Sequence, residues 1–228
     1  PGRGDGDPKW TYADGVAELP RRFAAASDAT VECGRRVVAL DRTTAGWRVR
    51  TERGDSKPFD AVVVAVPAPR VASILRRSEW DDPLCGRIAD DADAISYRPV
   101  VTAALHYPLR IERPYYALVD VDKAHDVGWI GRESCKPGHV PPGESLLVVQ
   151  MGADWSRDNL DVDDSTVADT AADHAAALLD DDRLADPDWS EVTLWRHALP
   201  DDGADQSLIA DAQLSDLHIV GDWVAGAA

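Results

Sequence analysis

The sequence predicts an α+β chain in which an antiparallel sheet with helices interrupts a second unit, whose last strand returns at the C-terminus. Two observations predict it. Between residues 97 and 152 four segments of strand character follow one another, and a long helical pattern comes next. Far upstream and again near the C-terminus stand short apolar runs of another texture, Val62-Val63-Val64-Ala65-Val66 and Leu217-His218-Ile219-Val220. The first runs into Pro67 and the second into Gly221-Asp222-Trp223.

Residues 1–13, rich in Gly, Asp and Pro, read as a loop. Asp14 reads as the cap of a helix reaching about Ala26, with Val16, Leu19 and Phe23 on one face. Pro20 implies a kink or a late start. Residues 31–33 and 37–40 read as short strands. Thr43-Thr44-Ala45-Gly46 turns the chain into Trp47-Arg48-Val49-Arg50, which alternates apolar and basic as a half-exposed strand should. Residues 62–66 are continuously apolar and β-branched, as strands covered on both faces are. Pro67-Ala68-Pro69 ends that run and opens a helix carrying Val71, Ile74 and Leu75. A second short helix holds Leu84 and Ile88. Residues 97–107, 115–119, 127–131 and 146–152 read as the antiparallel strands. The long helix stacks Val167, Ala171, His174 and Leu178 on one face and acids on the other. Residues 192–198 form one more strand, and 217–220 the last.

Charge narrows the setting. The 228 residues carry 41 acids against 24 bases, a net charge of -17. Asp supplies 33 of the acids and Lys only 4 of the bases. Small, strongly hydrated carboxylates suit a protein working in molar salt, where a Debye length of about 3 Å screens self-repulsion. The expectation is a cytoplasmic protein of a salt-accumulating organism. Nucleic acid is excluded as a partner by the same charge. No apolar run approaches the roughly 20 residues of a membrane span, and the N-terminal stretch lacks the apolar centre of a signal peptide. Cys33, Cys85 and Cys135 are scattered and imply no disulfide framework. The six His residues show no metal-ligand spacing.

Seven segments, in order, carry a family likeness: Tyr12-Ala13-Asp14-Gly15-Val16 to Phe23; Arg36-Val37-Val38-Ala39-Leu40; Gly46-Trp47-Arg48-Val49 with Asp60 to Pro69; Trp129-Ile130-Gly131-Arg132 to Gly138; Ala153-Asp154-Trp155-Ser156; Leu194-Trp195-Arg196-His197 to Pro200; and Gly221-Asp222-Trp223. Together they resemble the flavin-containing amine oxidase superfamily, and within it the renalase-like FAD-dependent oxidoreductases. The resemblance implies an antiparallel substrate-binding sheet, with parts of a glutathione-reductase-like FAD domain at both ends. It assigns residues 1–80 and 215–228 to the FAD portion and 81–214 to the substrate portion. FAD is the implied cofactor. Val37 would set its backbone against the adenine, the Val66-Pro67 strand end would lie near the cofactor, and Asp222 would accept a sugar or ribityl hydroxyl. The region of Gly221 and Trp223 would pass close to the pyrophosphate and flavin. Trp129, Trp195, Arg196 and His197 are candidate walls of a pocket for a small-molecule substrate, an amine or a reduced nicotinamide. No catalytic side chain is assigned, because the cofactor carries the redox chemistry.

Plainer readings stand beside these. Asp222 also has the position of a helix cap after a strand. Trp129 and Trp195 also suit a core, and Arg196 and His197 also suit a solvated surface. The family's G-x-G-x-x-G turn is not supplied by Gly2, Gly4 and Gly6, which no strand precedes. The enzyme is therefore expected in the full-length parent, and this chain alone is expected to hold FAD poorly. Two alternatives remain open: a substrate-binding module without redox activity, and an FAD-dependent isomerase or desaturase of the same fold. The oligomeric state is not legible.

Overall fold

A computed structural model describes residues 10–226; Gly2, Gly4 and Gly6 lie outside the described residues. Along the chain run α1 (Glu18–Ala26), β1 (Val37–Thr43), β2 (Gly46–Thr51), β3 (Gly54–Asp55), β4 (Val62–Val64), α2 (Ala68–Leu75), α3 (Pro83–Ala94) and β5 (Tyr97–Tyr107). There follow β6 (Ala117–Val119), β7 (Val127–Arg132), β8 (Ser145–Met151), α4 (Ala153–Asp158), α5 (Asp164–Leu179), β9 (Trp189–Pro200), α6 (Gln206–Leu214), β10 (Leu217–Ile219) and α7 (Asp222–Ala225). The described residues form two compact units: Glu32–Pro99 with residues 196–226, and Val100–Trp195 with residues 10–31. The helices α3 and α6, read from sequence as substrate portion, belong to the first of these.

In that first unit β1, β2 and β3 form an antiparallel meander whose hairpin turns at Thr44-Ala45, pairing Leu40 with Val49 and Arg42 with Trp47. Trp47 is fully buried; its indole meets Trp80 edge-on at 5.1 Å and donates to Ser215 O at 2.9 Å. β4 and β10 pair in parallel, with Val62 opposite Leu217 and Val64 opposite Ile219. Pro67 caps α2 without a side-chain bond, and Asp82 caps α3 by accepting the Leu84 amide at 2.8 Å. Val71, Leu75, Ile88, Ile209 and Ala212 from the three helices close one core with Leu217 and Trp223. Two expectations fail here. Residues 31–33 make no strand. Val63 is 63% exposed, so β4 is not covered on both faces by any described residue.

The second unit carries the antiparallel sheet, in the order β6-β7-β8-β5-β9, whose last strand continues to Pro200. β5 alternates strictly, with Val101, Ala103, Leu105 and Tyr107 all buried. These residues, with Leu147, Val149 and Ile130, share a core with α5. The buried stripe of α5 is Val167, Ala168, Ala171, Ala172, Ala175, Ala176 and Leu179. The expected stripe was rotated from this one: His174 and Leu178 sit at its margin, half exposed. Five of the seven are alanines, whose small side chains suit close packing of a helix on a sheet. Asp163 caps α5 by accepting the Thr166 amide. α1 starts late, at Glu18, which places Pro20 in its first turn; Asp14 does not cap it. No residue of α1 is buried, and Phe23 is 69% exposed. No described helix is long and apolar enough to cross a membrane.

Candidate functional site

The carboxyl ends of the parallel pair bring five of the sequence-predicted residues together. Beyond β10 the Val220 amide donates to Val64 O at 3.0 Å, which extends the pairing by one residue. Gly221 follows with φ +148° and ψ 172°, a conformation essentially confined to glycine. The Trp223 indole is 1% exposed and donates from Nε1 to Val66 O at 3.1 Å. The end of β10 is thereby tied to the end of β4. Asp222 remains exposed, and its Oδ1 accepts the Trp223 amide at 2.8 Å, which sets the direction of the carboxylate. Val66 is half-buried and Pro67 exposed beside them. Val37 stands on the other sheet of this unit, at the exposed start of β1.

Tyr97 and His197, in the same unit, add to this crevice, and sequence reasoning missed Tyr97. Its hydroxyl accepts the Ala68 amide at 3.0 Å, at the first turn of α2, and its ring meets His197 edge-on at 5.1 Å. Burial pushes the Tyr97 phenol up, and the charge of Asp222 adds to that shift. Burial lowers the His197 pKa, and Arg70 and Arg196 lower it further, so the imidazole is neutral at pH 7. A neutral imidazole can donate or accept a hydrogen bond without adding charge. Nothing local marks Tyr97 in the sequence, because its partners lie about 30 and 100 positions away.

The remaining candidates lie on the five-stranded sheet. Val192 and Leu194 pack toward the α5 core, so Trp195 projects to the opposite side of β9. By the same alternation Ile130 faces α5, and Trp129 faces away. The open side of the sheet is ruled in rows: Trp129 opposite Gln150 opposite Thr102, then Gly131 opposite Val148 opposite Ala104. The Trp129 ring lies over Gly131, where an added Cβ would fall 1.8 Å from an indole carbon. Trp129 and Trp195 thus share one side of the sheet but not one pocket wall. β8 and β5 separate them, three strand spacings of about 4.8 Å or roughly 14 Å in all. Trp195 is 56% exposed, and Arg196 next to it is exposed on the other side of β9.

The model of the family of flavin containing amine oxidoreductases matches residues 3–227. The chain belongs to that family. Solved structures agree in fold. A protein from Exiguobacterium sp. 255-15, provisionally assigned as a protoporphyrinogen oxidase, superposes with TM-score 0.73 at 13% identity, over 95% of this chain and 50% of that one. Putrescine oxidase bound to putrescine gives TM-score 0.67 at 13% identity, over 92% and 48%. A fatty acid isomerase from P. acnes, described as producing CLA, gives 0.64 at 14%, over 96% and 49%. The chain therefore spans about half the length of these structures. FAD is the cofactor of the flavin containing amine oxidoreductases. The strand-end crevice fits such a group: an exposed, oriented carboxylate accepts sugar hydroxyls, and a bare glycine backbone admits a close ligand. The position also fits, because ligands of open parallel sheets bind outside the carboxyl ends of the strands.

Proposed function

We propose that the full-length protein is an FAD-dependent oxidoreductase of the renalase-like branch, oxidising an amine or a reduced nicotinamide-type substrate. When bound, FAD supplies the acceptor for a hydride from the substrate. This chain's residues hold and orient. Asp222 accepts a ribityl or ribose hydroxyl, and Gly221 keeps the backbone bare beside it. The Val66-Pro67 strand end and the Val37 backbone complete the cofactor side. Trp223 acts from beneath, since its ring is buried and its indole N–H is spent on Val66 O. On the substrate side Trp129 presents a flat apolar face, and Trp195 borders the same side of the sheet. Within the unit that carries the Asp222 strand end, His197 contributes a neutral ring beside Tyr97, and Arg196, on the other side of β9 from Trp195, attracts an anionic group there. The work is done in the salt-rich cytoplasm that the acidic surface suits.

The observation that supports this reading most is the oriented, exposed Asp222 carboxylate at the joined ends of β4 and β10. Asp222→Ala in the full-length protein should weaken FAD binding at least tenfold; unchanged affinity overturns the role. A second reading draws on the likeness to a fatty acid isomerase: the same fold rearranging an unsaturated chain without net oxidation. Steady-state turnover of polyenes against amines and reduced nicotinamides separates the two. FAD binding without turnover of any of these would leave a binding module.

A further inference from the structure

At one end of the antiparallel sheet the loop after β5, the end of β7 and the loop before β8 border an open cavity of about 830 Å³. Three arginines line it, Arg110, Arg113 and Arg132, together with Ser134 and the carboxylates of Glu112 and Glu144. In a chain with 41 acids and 24 bases, three guanidiniums in one cavity run against the average.

The two carboxylates are already engaged. Glu112 pairs with Arg110 at 3.0 Å, and Glu144 accepts from His106 Nε2 at 2.8 Å. Arg113 has Asp181 at 3.7 Å and donates to the carbonyls of Glu112 and Leu179. Arg132 differs. Its two Nη groups donate to the carbonyls of Ile111 and Arg113 at 2.8 and 2.9 Å, its Nε is buried without a partner, and no described carboxylate pairs with it. Two carbonyl dipoles orient a guanidinium but do not neutralise it. A half-buried charge left uncompensated is costly, and the field of Arg132 therefore falls on the cavity.

We propose that this cavity binds a small organic oxyanion, a carboxylate or a phosphate ester, with Arg132 as the fixed charge at its wall. Arg113 adds charge beside it, and Ser134 supplies a hydroxyl donor. Arg110 keeps its pair with Glu112 and so holds that carboxylate's charge away from the ligand. Fixed guanidinium charge attracts carboxylate and phosphate alike. The volume suits a small molecule rather than a bare ion.

Calorimetric titration of the full chain at constant KCl, with inorganic phosphate and separately with acetate, tests the site. Saturable one-to-one heat is expected with at least one of them. Phosphate alone assigns a phosphate ester, and acetate alone a carboxylate. Arg132→Gln should weaken the binding tenfold or more. Arg110→Ala should weaken it about threefold while folding like the parent, because its side chain is 74% exposed. If Arg132→Gln fails to fold, because it also clamps the loop, Arg110→Ala decides. No saturable heat with either anion, or binding unchanged in Arg110→Ala, overturns the proposal.

Discussion

Gly221→Ala strikes the joint on which the cofactor crevice depends, and its cost can be worked from the geometry. The backbone there has φ +148° and ψ 172°, and holding a residue with a Cβ in that region costs about 1–3 kcal/mol. The added Cβ would also lie 3.1 Å from Cδ1 and Nε1 of Trp223. That ring has little room to retreat. It is 1% exposed, and its Nε1 is bonded to Val66 O at 3.1 Å. Breaking this bond adds about 1 kcal/mol. The sum is about 2–4 kcal/mol, a large share of the roughly 5–15 kcal/mol of a typical domain. Urea unfolding at fixed KCl should show a lower midpoint with unchanged slope. In the full-length protein FAD affinity should fall as well, since the strand ends separate. A stability change below about 0.5 kcal/mol would refute the claim that glycine is required there.

Other expectations are more local. Tyr107 is fully buried, donates to Leu184 O at 2.8 Å, and has its phenol pKa pushed up by burial. The unfolded phenol ionises near pH 10, so the stability Tyr107 contributes is present below that pH and lost above it. Tyr107→Phe should remove this alkaline loss at a cost of about 1 kcal/mol at neutral pH, read by urea unfolding against pH. Asp163 is held down to about 2 by its bonds to Ser165 and Thr166 at the start of α5. Its contribution is complete above about pH 4 and lost as pH falls toward 2; Asp163→Asn, which keeps an acceptor, should flatten that acid limb in circular dichroism. The net charge of -17 predicts that melting rises steeply from 0.1 M to about molar KCl; coincident melting curves would remove the screening argument.

What the sequence determined by itself is whatever a single segment settles. The alternation of β5 appears residue for residue in its burial, because a strand's two sides are set by its own pleat. The hairpin at Thr44-Ala45 and the helix opened by Pro67-Ala68-Pro69 follow likewise from local backbone preference. Gly221-Asp222 was legible as a strand end for the same reason. The tertiary structure alone decided which surfaces meet. The apolar spacing of α1 gave it a face but no cover among the described residues, so Phe23 stays exposed. α4 and α6 passed unread; Ser156 of α4 is held in place by a distant strand, accepting the Val101 amide at 3.0 Å. Trp129 and Trp195 look alike in sequence, yet strand order separates them by two intervening strands. Trp223 could have been read as cofactor contact or as core, and only its bond to Val66, 157 positions away, makes it the pin between β4 and β10. Such choices depend on pairing between remote segments, and periodicity within one segment carries no record of its partner.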